Sequence, residues 1–276
     1  EILHPSGAEG WSYARLTAAV QGVATGLAAL GLAPGDRVLI RLGAQVEFPL
    51  VFLGAIAAGL VPVPSASGLT APEITAMAAR LNPRLIIAAP GIALPDHSAP
   101  VITDGALRAM ETLPPPPFQM GDPNRPGYIL FTSGTSGTPM AVVHGHRAIL
   151  ARRMMHYGWE GLTGADRLLH AGAFNWSFTL GTGLLDPWAC GATALIPGAG
   201  VDVGDLPLLL QHFDATIFAA VPGIYRQMLR TSLPPLPQLR HGLSAGEAMA
   251  AGTRAAWTTA TGTDVHQALG MTEIST

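Results

Sequence analysis

The chain has 276 residues, of which 49% are hydrophobic and 12% charged, and its formal net charge is −3. This length allows one large domain or two smaller ones. No basic run exceeds Arg152-Arg153, so the sequence lacks the positive footprint of a nucleic-acid-binding protein, and no nucleic-acid partner is expected. The longest apolar run, residues 50–63, is interrupted by glycine and proline and is shorter than the about 20 residues that span a membrane, so no membrane association is expected.

The cysteine and lysine content narrows the class of protein further. Cys190 is the single cysteine, which excludes a disulfide framework and a cysteine metal cluster. The N-terminus lacks the charged-then-apolar pattern of a signal peptide, so a reducing cytoplasm is the expected compartment. All 15 basic residues are Arg. Two explanations stay open: a GC-rich genome that favours Arg, and lysines lost from the determined sequence.

The first part of the chain alternates between helical and extended patterns. Apolar residues at helical spacing from Leu16 to Leu30 predict a first helix, which Gly31 ends. Thr70 and Glu73 have the spacing of a capping box and predict the start of another helix, which runs to Leu81. The remaining elements predicted in this part are a strand at 38–42, a helix at 46–58, an extended stretch at 61–64 and a strand at 84–89.

The second part repeats the alternation after a proline-rich stretch at 111–126, which is predicted to connect two subdomains, 1–110 and 127–276. Strands are predicted at 128–132, 167–170, 192–196, 216–221, 239–244 and 265–269, and helices at 147–157, 179–189, 206–212, 223–229 and 250–261. This alternation indicates an α/β fold with mainly parallel sheets flanked by helices. Ligands of such sheets bind beyond the carboxyl ends of the strands.

The strongest local signal is a collar of small residues that follows a predicted strand. The strand at 128–132 leads into Thr132, Ser133, Gly134, Thr135, Ser136, Gly137 and Thr138. Backbone N–H groups of such a stretch can surround an anion, and its hydroxyl groups can donate to phosphate oxygens. Runs of Gly, Ser and Thr are also typical of flexible linkers. The residues alone therefore leave phosphate binding and a plain surface loop equally open.

The collar and the segment that follows it resemble a known family signature. Residues 132–139, with Ala-Val-Val-His144 shortly after them, are similar to the phosphate-binding pattern T-S-G-T-[ST]-G-x-P-K of the adenylate-forming superfamily. That superfamily includes acyl- and aryl-CoA synthetases and the adenylation domains of peptide synthetases. Met140 stands where the family has Lys, and one Lys inserted after Pro139 would restore the pattern. We therefore hypothesise that a lysine is missing at this position of the sequence.

Two later motifs occur in the order of the same family. Ser244-Ala245-Gly246-Glu247 resembles its adenine-binding turn, although by residue type alone it is an ordinary turn between a strand and a helix. Residues 265–273, Val-His-Gln-Ala-Leu-Gly-Met-Thr-Glu, resemble its Y-G-x-T-E signature, with Leu269 in place of the usual Tyr. The resemblance implies that Gly246, Glu247, Ala268 and Leu269 contact adenine. It also implies that Thr272, Glu273 and His144 belong to the catalytic group, with Glu273 holding Mg²⁺, a cation that prefers oxygen ligands.

A third region resembles the acyl pocket of the family, although ordinary core packing is the commoner fate of such residues. The residues implied to line it are Phe174, Asn175, Trp176, Val221, Pro222, Tyr225, Ala245 and Gly270. Amino-acid-activating members usually have Asp where this chain has the neutral Asn175. An α-amino acid substrate is therefore disfavoured, and an aryl or short-to-medium acyl acid is expected.

The resemblance implies an acid-CoA ligase of the AMP-forming type that uses ATP, Mg²⁺ and coenzyme A on a small carboxylic acid. The three motifs imply the large N-terminal domain of such an enzyme. The ribose-binding Asp, the hinge and the small domain with a catalytic Lys do not follow before Thr276, so weak catalysis by this portion alone is expected. Two alternatives stay open: an adenylation domain that loads a carrier protein, and a non-catalytic nucleotide-binding relative. A homodimer is also left open.

Overall fold

The computed structural model describes residues 1–4, 6–132 and 139–274. Its strands are β1 Ile2–His4, β2 Gly7–Glu9, β3 Arg37–Arg41, β4 Val61–Pro64, β5 Leu85–Ala88, β6 Val101–Thr103, β7 Pro126–Thr132, β8 Met140–Gly145, β9 Arg167–His170, β10 Thr193–Pro197, β11 Ile217–Ala219, β12 His241–Ser244 and β13 Val265–Gln267.

The α-helices of the described residues alternate with these strands along the chain. They are α1 Tyr13–Ala28, α2 Glu47–Ala57, α3 Ala71–Leu81, α4 Asp104–Met110, α5 Arg147–Ala151, α6 Arg153–Met155, α7 Ser177–Leu180, α8 Asp186–Cys190, α9 Leu206–His212, α10 Pro222–Met228 and α11 Ala251–Thr261. Two π-helical turns occur at His156–Glu160 and Gly181–Leu185, and a short 3-10 helix covers Thr272–Ile274. None of the described helices is both long and apolar enough to cross a membrane.

The chain folds into two compact units. Unit 1 comprises Glu1–Gly10 with Ala148–Thr276, and unit 2 comprises Trp11–Arg147. The boundary between the two compact units therefore lies after Arg147. The proline content of the sequence had instead favoured a connector between subdomains at 111–126. The hairpin of β7 and β8 follows that connector, but it contacts β4 and so stays with unit 2.

Unit 1 is built on a seven-stranded sheet in the order β13-β12-β11-β9-β10-β1-β2. Every pairing in it is parallel except β1 with β2. Its central strands are short and buried, with Leu169, Phe218 and Leu243 fully inaccessible. The predicted α/β fold with mainly parallel sheets is confirmed.

Unit 2 contains a four-stranded parallel sheet in the order β4-β3-β5-β6 and the antiparallel hairpin of β7 and β8. Its core joins Leu39, Val63 and Ile86 of the sheet to Ile74 of α3. The capping box predicted at the start of α3 is present, because the Thr70 N–H donates to the Glu73 carboxylate at 2.8 Å and the Thr70 side chain accepts from the backbone of the first turn. This cap fixes where the helix begins.

The helix predicted at 147–157 is divided into α5 and α6 and runs into the π-helical turn at His156–Glu160, and the helix predicted at 179–189 contains the π-helical turn at Gly181–Leu185. In the second case the cause lies in packing. A Cβ atom at Gly181 would clash with the Arg152 guanidinium, and a Cβ atom at Gly183 would stand 2.8 Å from the His170 side chain. Sequence periodicity could not show this, because it depends on which side chains cross the helix in three dimensions.

Candidate nucleotide site

The Ser-Ala-Gly-Glu turn and the Gly-Met-Thr-Glu segment lie at the carboxyl ends of neighbouring strands in unit 1. Strands β12 and β13 are parallel, with Ser244 opposite Gln267. Gly246 has φ +94°, a left-handed conformation that residues with a side chain rarely adopt. The two strand ends enclose a cavity of about 250 Å³. It is lined by Gly246, Glu247, Ala248, Gln267, Ala268, Leu269 and Gly270.

Two hydrogen bonds hold the walls of this cavity together. The Met249 N–H donates to Oε1 of Gln267 at 2.9 Å, and the Ala268 N–H donates to the Ser244 carbonyl at 2.9 Å. The first of them ties the turn after β12 to the side of β13. The sequence did not point to Gln267, because the adenine contacts expected near this strand were the next two residues, Ala268 and Leu269. The glutamine type gave no signal of its own, since its partner is a backbone group.

The side chains predicted to contact adenine differ in their exposure and in their partners. Leu269 is 93% exposed, so its side chain is available to cover a flat ring. Glu247 is exposed and lies 3.5 Å from the Arg226 guanidinium, in a pair of which both members are half exposed. Such a pair contributes little stability because water screens it. Its carboxylate is therefore free to exchange partners when a ligand enters.

Thr272 and Glu273 lie on the short 3-10 helix that follows β13. The Glu273 side chain is exposed and Thr272 is half-buried. A solvent-facing carboxylate beside a hydroxyl group offers oxygen donors of the kind that Mg²⁺ binds. The chemistry of these donors therefore fits the expected cation.

The predicted phosphate-binding residues belong to unit 2. Thr132 ends β7 and pairs with Met140 at the start of β8. Residues 133–138, which include Ser133, Gly134, Thr135, Ser136, Gly137 and Thr138, lie outside the described residues. Met140 follows Pro139 directly in the sequence, and the hypothesis of a missing lysine stays a prediction. A cation that sequence reasoning missed lies close by, because Nη1 of Arg80 donates to the Pro139 carbonyl at 2.5 Å.

His144, the last residue of the collar motif, is buried in the hairpin. It is 5% exposed, it lies opposite Tyr128 in the ladder, and the two rings stack with centroids 4.7 Å apart. Cross-strand aromatic contacts of this kind stabilise a hairpin. The position of His144 thus has a structural reason, and its catalytic role stays a prediction.

The predicted acyl-pocket residues are not brought to one surface. Phe174 is buried, Trp176 is 53% exposed and Asn175 is intermediate. Ala245 packs in one apolar cluster with Phe178 and, at its edge, Ala268. Of these residues, Ala245 directly precedes Gly246 in the turn.

The remaining pocket residues come from α10 and the two motif turns. A Cβ atom at Gly246 would lie 3.5 Å from the Val221 side chain, which places Val221 beside the turn. Pro222 is buried and Gly270 is half-buried. Tyr225 is fully buried in the core, and its hydroxyl donates to the carbonyls of Phe218 at 2.8 Å and Leu243 at 3.0 Å. Tyr225 therefore braces β11 against β12 and does not line an open cavity.

His170, which ends β9, is a polar residue whose burial the sequence did not reveal. Neither ring nitrogen has a hydrogen-bond partner among the described residues, and the Thr179 hydroxyl close to it has none there either. Burial lowers the pKa of His170 to about 3, with a further contribution from the Arg152 charge. The ring is therefore neutral at pH 7 and packs edge-on against Phe178 at 4.4 Å.

Comparison with known proteins agrees with this arrangement. The model of the AMP-binding enzyme family matches residues 3–276. The benzoate–CoA ligase of Thauera aromatica is 30% identical over 272 residues, which cover 89% of this chain and 50% of that protein. The mitochondrial acyl-coenzyme A synthetase ACSM2A of Homo sapiens is 26% identical over 288 residues, which cover 95% of this chain and 49% of that protein.

A solved structure shows the same fold. The benzoate CoA ligase from Burkholderia xenovorans LB400 superposes with a TM-score of 0.89 at 24% identity, covering 100% of this chain and 58% of that one. The chain spans about half the length of the curated relatives it matches. Since the family model covers nearly every residue, including the two motifs that enclose the cavity, the chain belongs to the family of AMP-binding enzymes.

Proposed function

We propose that this chain carries the nucleotide-binding part of an enzyme that activates a carboxylic acid with ATP. In the first step the carboxylate attacks the α-phosphorus, an acyl–AMP bond forms and pyrophosphate leaves. In the second step the thiol of coenzyme A attacks the acyl carbon and AMP leaves. The relatives named as benzoate–CoA ligase and acyl-coenzyme A synthetase support this assignment.

The observation that carries the proposal is the cavity of about 250 Å³ between the ends of β12 and β13. All four predicted adenine contacts line it, and Gly246 supplies the left-handed turn that brings backbone to its edge. A flat apolar ring can enter between the glycine turn and Leu269.

The protein contributes position and charge to the reaction. Fixed hydrogen-bond donors and a bound cation stabilise the charge that develops on the phosphates without reorganising. When bound, Mg²⁺ would neutralise phosphate charge, and Glu273 and Thr272 would hold it. The hydroxyl groups of 132–138 are proposed to donate to phosphate oxygens. The cation of the family pattern is absent at Met140, so the phosphates are held with less positive charge there.

The substrate that we propose is an aryl or short-to-medium acyl acid. Asn175 is neutral and cannot form an ion pair with a substrate ammonium group. Phe174 and Ala245, two of the residues expected to line the acyl pocket, are buried and apolar, and apolar pockets favour uncharged acyl groups.

Titration calorimetry with ATP and Mg²⁺ directly tests whether the chain binds a nucleotide. Failure to bind would refute each of the enzymatic functions considered. Pyrophosphate release should then be measured with an aromatic acid, a medium-chain fatty acid and an α-amino acid, with and without coenzyme A. Turnover with the first two acids that depends on coenzyme A supports the proposal. Transfer only to a carrier protein would make the chain a carrier-loading domain. Tight ATP binding without any pyrophosphate release would favour a non-catalytic relative, to which Met140 and Leu269 also point.

A further inference from the structure

Unit 1 contains a group of buried ionisable side chains, none of which lines the cavity at Gly246. We call it the acid cluster, and it consists of Arg152, His156, Glu160 and Asp186. Their exposed fractions are 3%, 4%, 0% and 1%. His156 and Glu160 come from one π-helical turn, and Asp186 begins α8. The reaction proposed above does not use any of the four.

Asp186 has a full set of partners. Nε of Arg152 donates to Oδ1 at 2.9 Å and to Oδ2 at 3.1 Å, and Nε2 of His156 lies 3.3 Å from Oδ1. Burial alone would raise the pKa of Asp186, but the hydrogen bonds from His156 and Arg152 outweigh it and hold that pKa at about 2. Asp186 is therefore ionised and neutralises Arg152.

Glu160 has no such partner. Neither of its carboxyl oxygens meets hydrogen-bond geometry with a described donor, yet the side chain is completely buried. Ligand atoms of Glu160, Asp186 and His156 all lie within 4.8 Å of one another. Burial, and then the neighbouring Asp186 charge, raise the pKa of Glu160 to about 9. Two ionised carboxylates cannot hydrogen-bond to each other, whereas a protonated one can donate to the other.

The other polar groups around the cluster do not supply a second cation for Glu160. Arg152 is the cation that acts on it, and the Thr182 hydroxyl also faces it. Sγ of Cys190 lies 3.1 Å from Nδ1 of His156, and Nε2 of His241 lies 2.8 Å from the Glu160 carbonyl oxygen. His170 is a neutral ring, because burial and the Arg152 charge lower its pKa to about 3. One guanidinium thus faces two carboxyl groups.

We propose that Glu160 and Asp186 share one proton, which Glu160 carries as a carboxylic acid that donates to Asp186. Unit 1 then loses stability as the pH rises, because keeping this proton on Glu160 becomes less favourable. An uncompensated buried carboxylate is far costlier than a neutral acid. The proton therefore completes the packing of the π-helical turn against α8. The proposal does not depend on the function proposed above.

The sign of the effect follows from proton counting. A free glutamate loses its proton near pH 4.3, whereas Glu160 in the folded chain keeps it up to about pH 9. Between these values the folded state binds one proton more than the unfolded state, so stability falls as pH rises and levels off above the folded pKa. This contribution is largest below about pH 4, where the unfolded chain is also protonated.

The substitution Glu160→Gln tests the proposal, because an amide of the same shape can donate to Asp186 at every pH. Unfolding by urea is followed by tryptophan fluorescence, since four of the five tryptophans belong to unit 1. The unfolding constant of the wild type, divided by that of the variant, should rise about tenfold per pH unit between pH 5 and 8.5. Glu9→Gln, the same change on an exposed strand of unit 1, should leave the wild-type profile unchanged.

Three results would overturn the proposal. A ratio that stays flat from pH 5 to 8.5 means that Glu160 is ionised in the folded chain. A ratio that is flat below about pH 6.5 and rises only above it places the proton on an imidazole of the cluster in place of Glu160, because a free histidine side chain titrates near that pH. A stoichiometric zinc ion in the purified protein, with a stability at pH 7 that a chelator lowers, means that His156, Glu160 and Asp186 hold a metal in place of the proton.

A measurement on the wild type decides the matter if Glu160→Gln does not fold. Infrared difference spectra of the full chain, with ¹³C-labelled glutamate, should show the carbonyl band of a protonated carboxylic acid at pH 7. The band should disappear as the pH passes about 9. Its absence at pH 7 would refute the shared proton.

Discussion

The Gln267 side chain accepts a hydrogen bond from the Met249 backbone N–H at 2.9 Å, and this bond joins two segments that lie 18 residues apart in the chain. Met249 follows the glycine turn at the end of β12, and Gln267 ends β13. The bond therefore ties together two segments that line the cavity. A glutamine without a recognisable motif is thus part of the frame of the candidate nucleotide site.

Replacing Gln267 by Met should open this frame. The Met249 N–H loses its acceptor, which costs about 1 kcal/mol of folding free energy, and AMP binding should weaken several-fold. Gln267→Glu keeps an acceptor oxygen and should restore most of both losses. Urea unfolding and calorimetry with AMP measure the two effects, and Gln227→Met on the exposed side of α10 is the matched control. Equal losses for Met and Glu at position 267 would contradict the role of the bond.

Gly246→Ala should damage the turn itself. Gly246 has φ +94°, where a Cβ atom introduces strain of about 1–2 kcal/mol. We expect ATP affinity to fall by about tenfold, because the turn relaxes away from its strained shape. Gly252→Ala lies in α11 with open space around its Cβ position, and it should leave affinity unchanged. An unchanged affinity in Gly246→Ala would remove the turn from the binding site.

Met140→Lys should strengthen phosphate binding. Met140 is 56% exposed and pairs with Thr132, so a lysine there would place a cation beside the start of the collar. A half-exposed charge of this kind contributes about 0.5–1 kcal/mol, or roughly a twofold to fivefold gain in ATP affinity at low salt. Met140→Gln tests whether a polar side chain suffices. The gain should shrink as ionic strength rises, and a salt-independent gain would speak against charge as its cause.

Arg80→Ala should have the opposite effect. Arg80 is exposed and holds the Pro139 carbonyl at the end of the collar segment, so its loss removes both a cation and an anchor. We expect ATP affinity to fall a few-fold while AMP affinity changes less, because AMP lacks the outer phosphates. Calorimetry with both nucleotides measures this difference. Arg84→Ala, an exposed arginine three residues beyond α3, should change neither affinity.

Arg152→Met should destabilise unit 1 strongly. Removing one member of a buried ion pair leaves the other uncompensated, which costs about 3–5 kcal/mol. Asp186 normally has its pKa lowered to about 2, so its contribution is present above about pH 4 and is lost as the pH falls toward 2. The variant should therefore regain part of its stability relative to the wild type in acid. Arg153→Met, at the neighbouring exposed position, should be nearly neutral.

Local pattern by itself was sufficient for much of the molecule. The strand at 167–170 and the helix at 206–212 were predicted with their observed ends, and the capping box at Thr70 located α3. These features depend on residues close together in the chain. The order of motifs 132–144, 244–247 and 270–273 likewise sufficed to identify the family, because it is a property of the sequence alone.

Tertiary structure decided which side chains meet. At the π-helical turn Gly181–Leu185, Arg152 and His170 pack against glycines that lie distant from them in sequence. Tyr225 was expected to line a pocket, yet its hydroxyl is bound to two strands. Gln267 and Glu160 carried no local signal, since the acceptor role of one and the burial of the other depend on residues from separate elements. Periodicity indicates which face of a helix or strand is apolar. Only the packing of separate elements determines which buried polar groups find a hydrogen-bond partner and which must stay protonated.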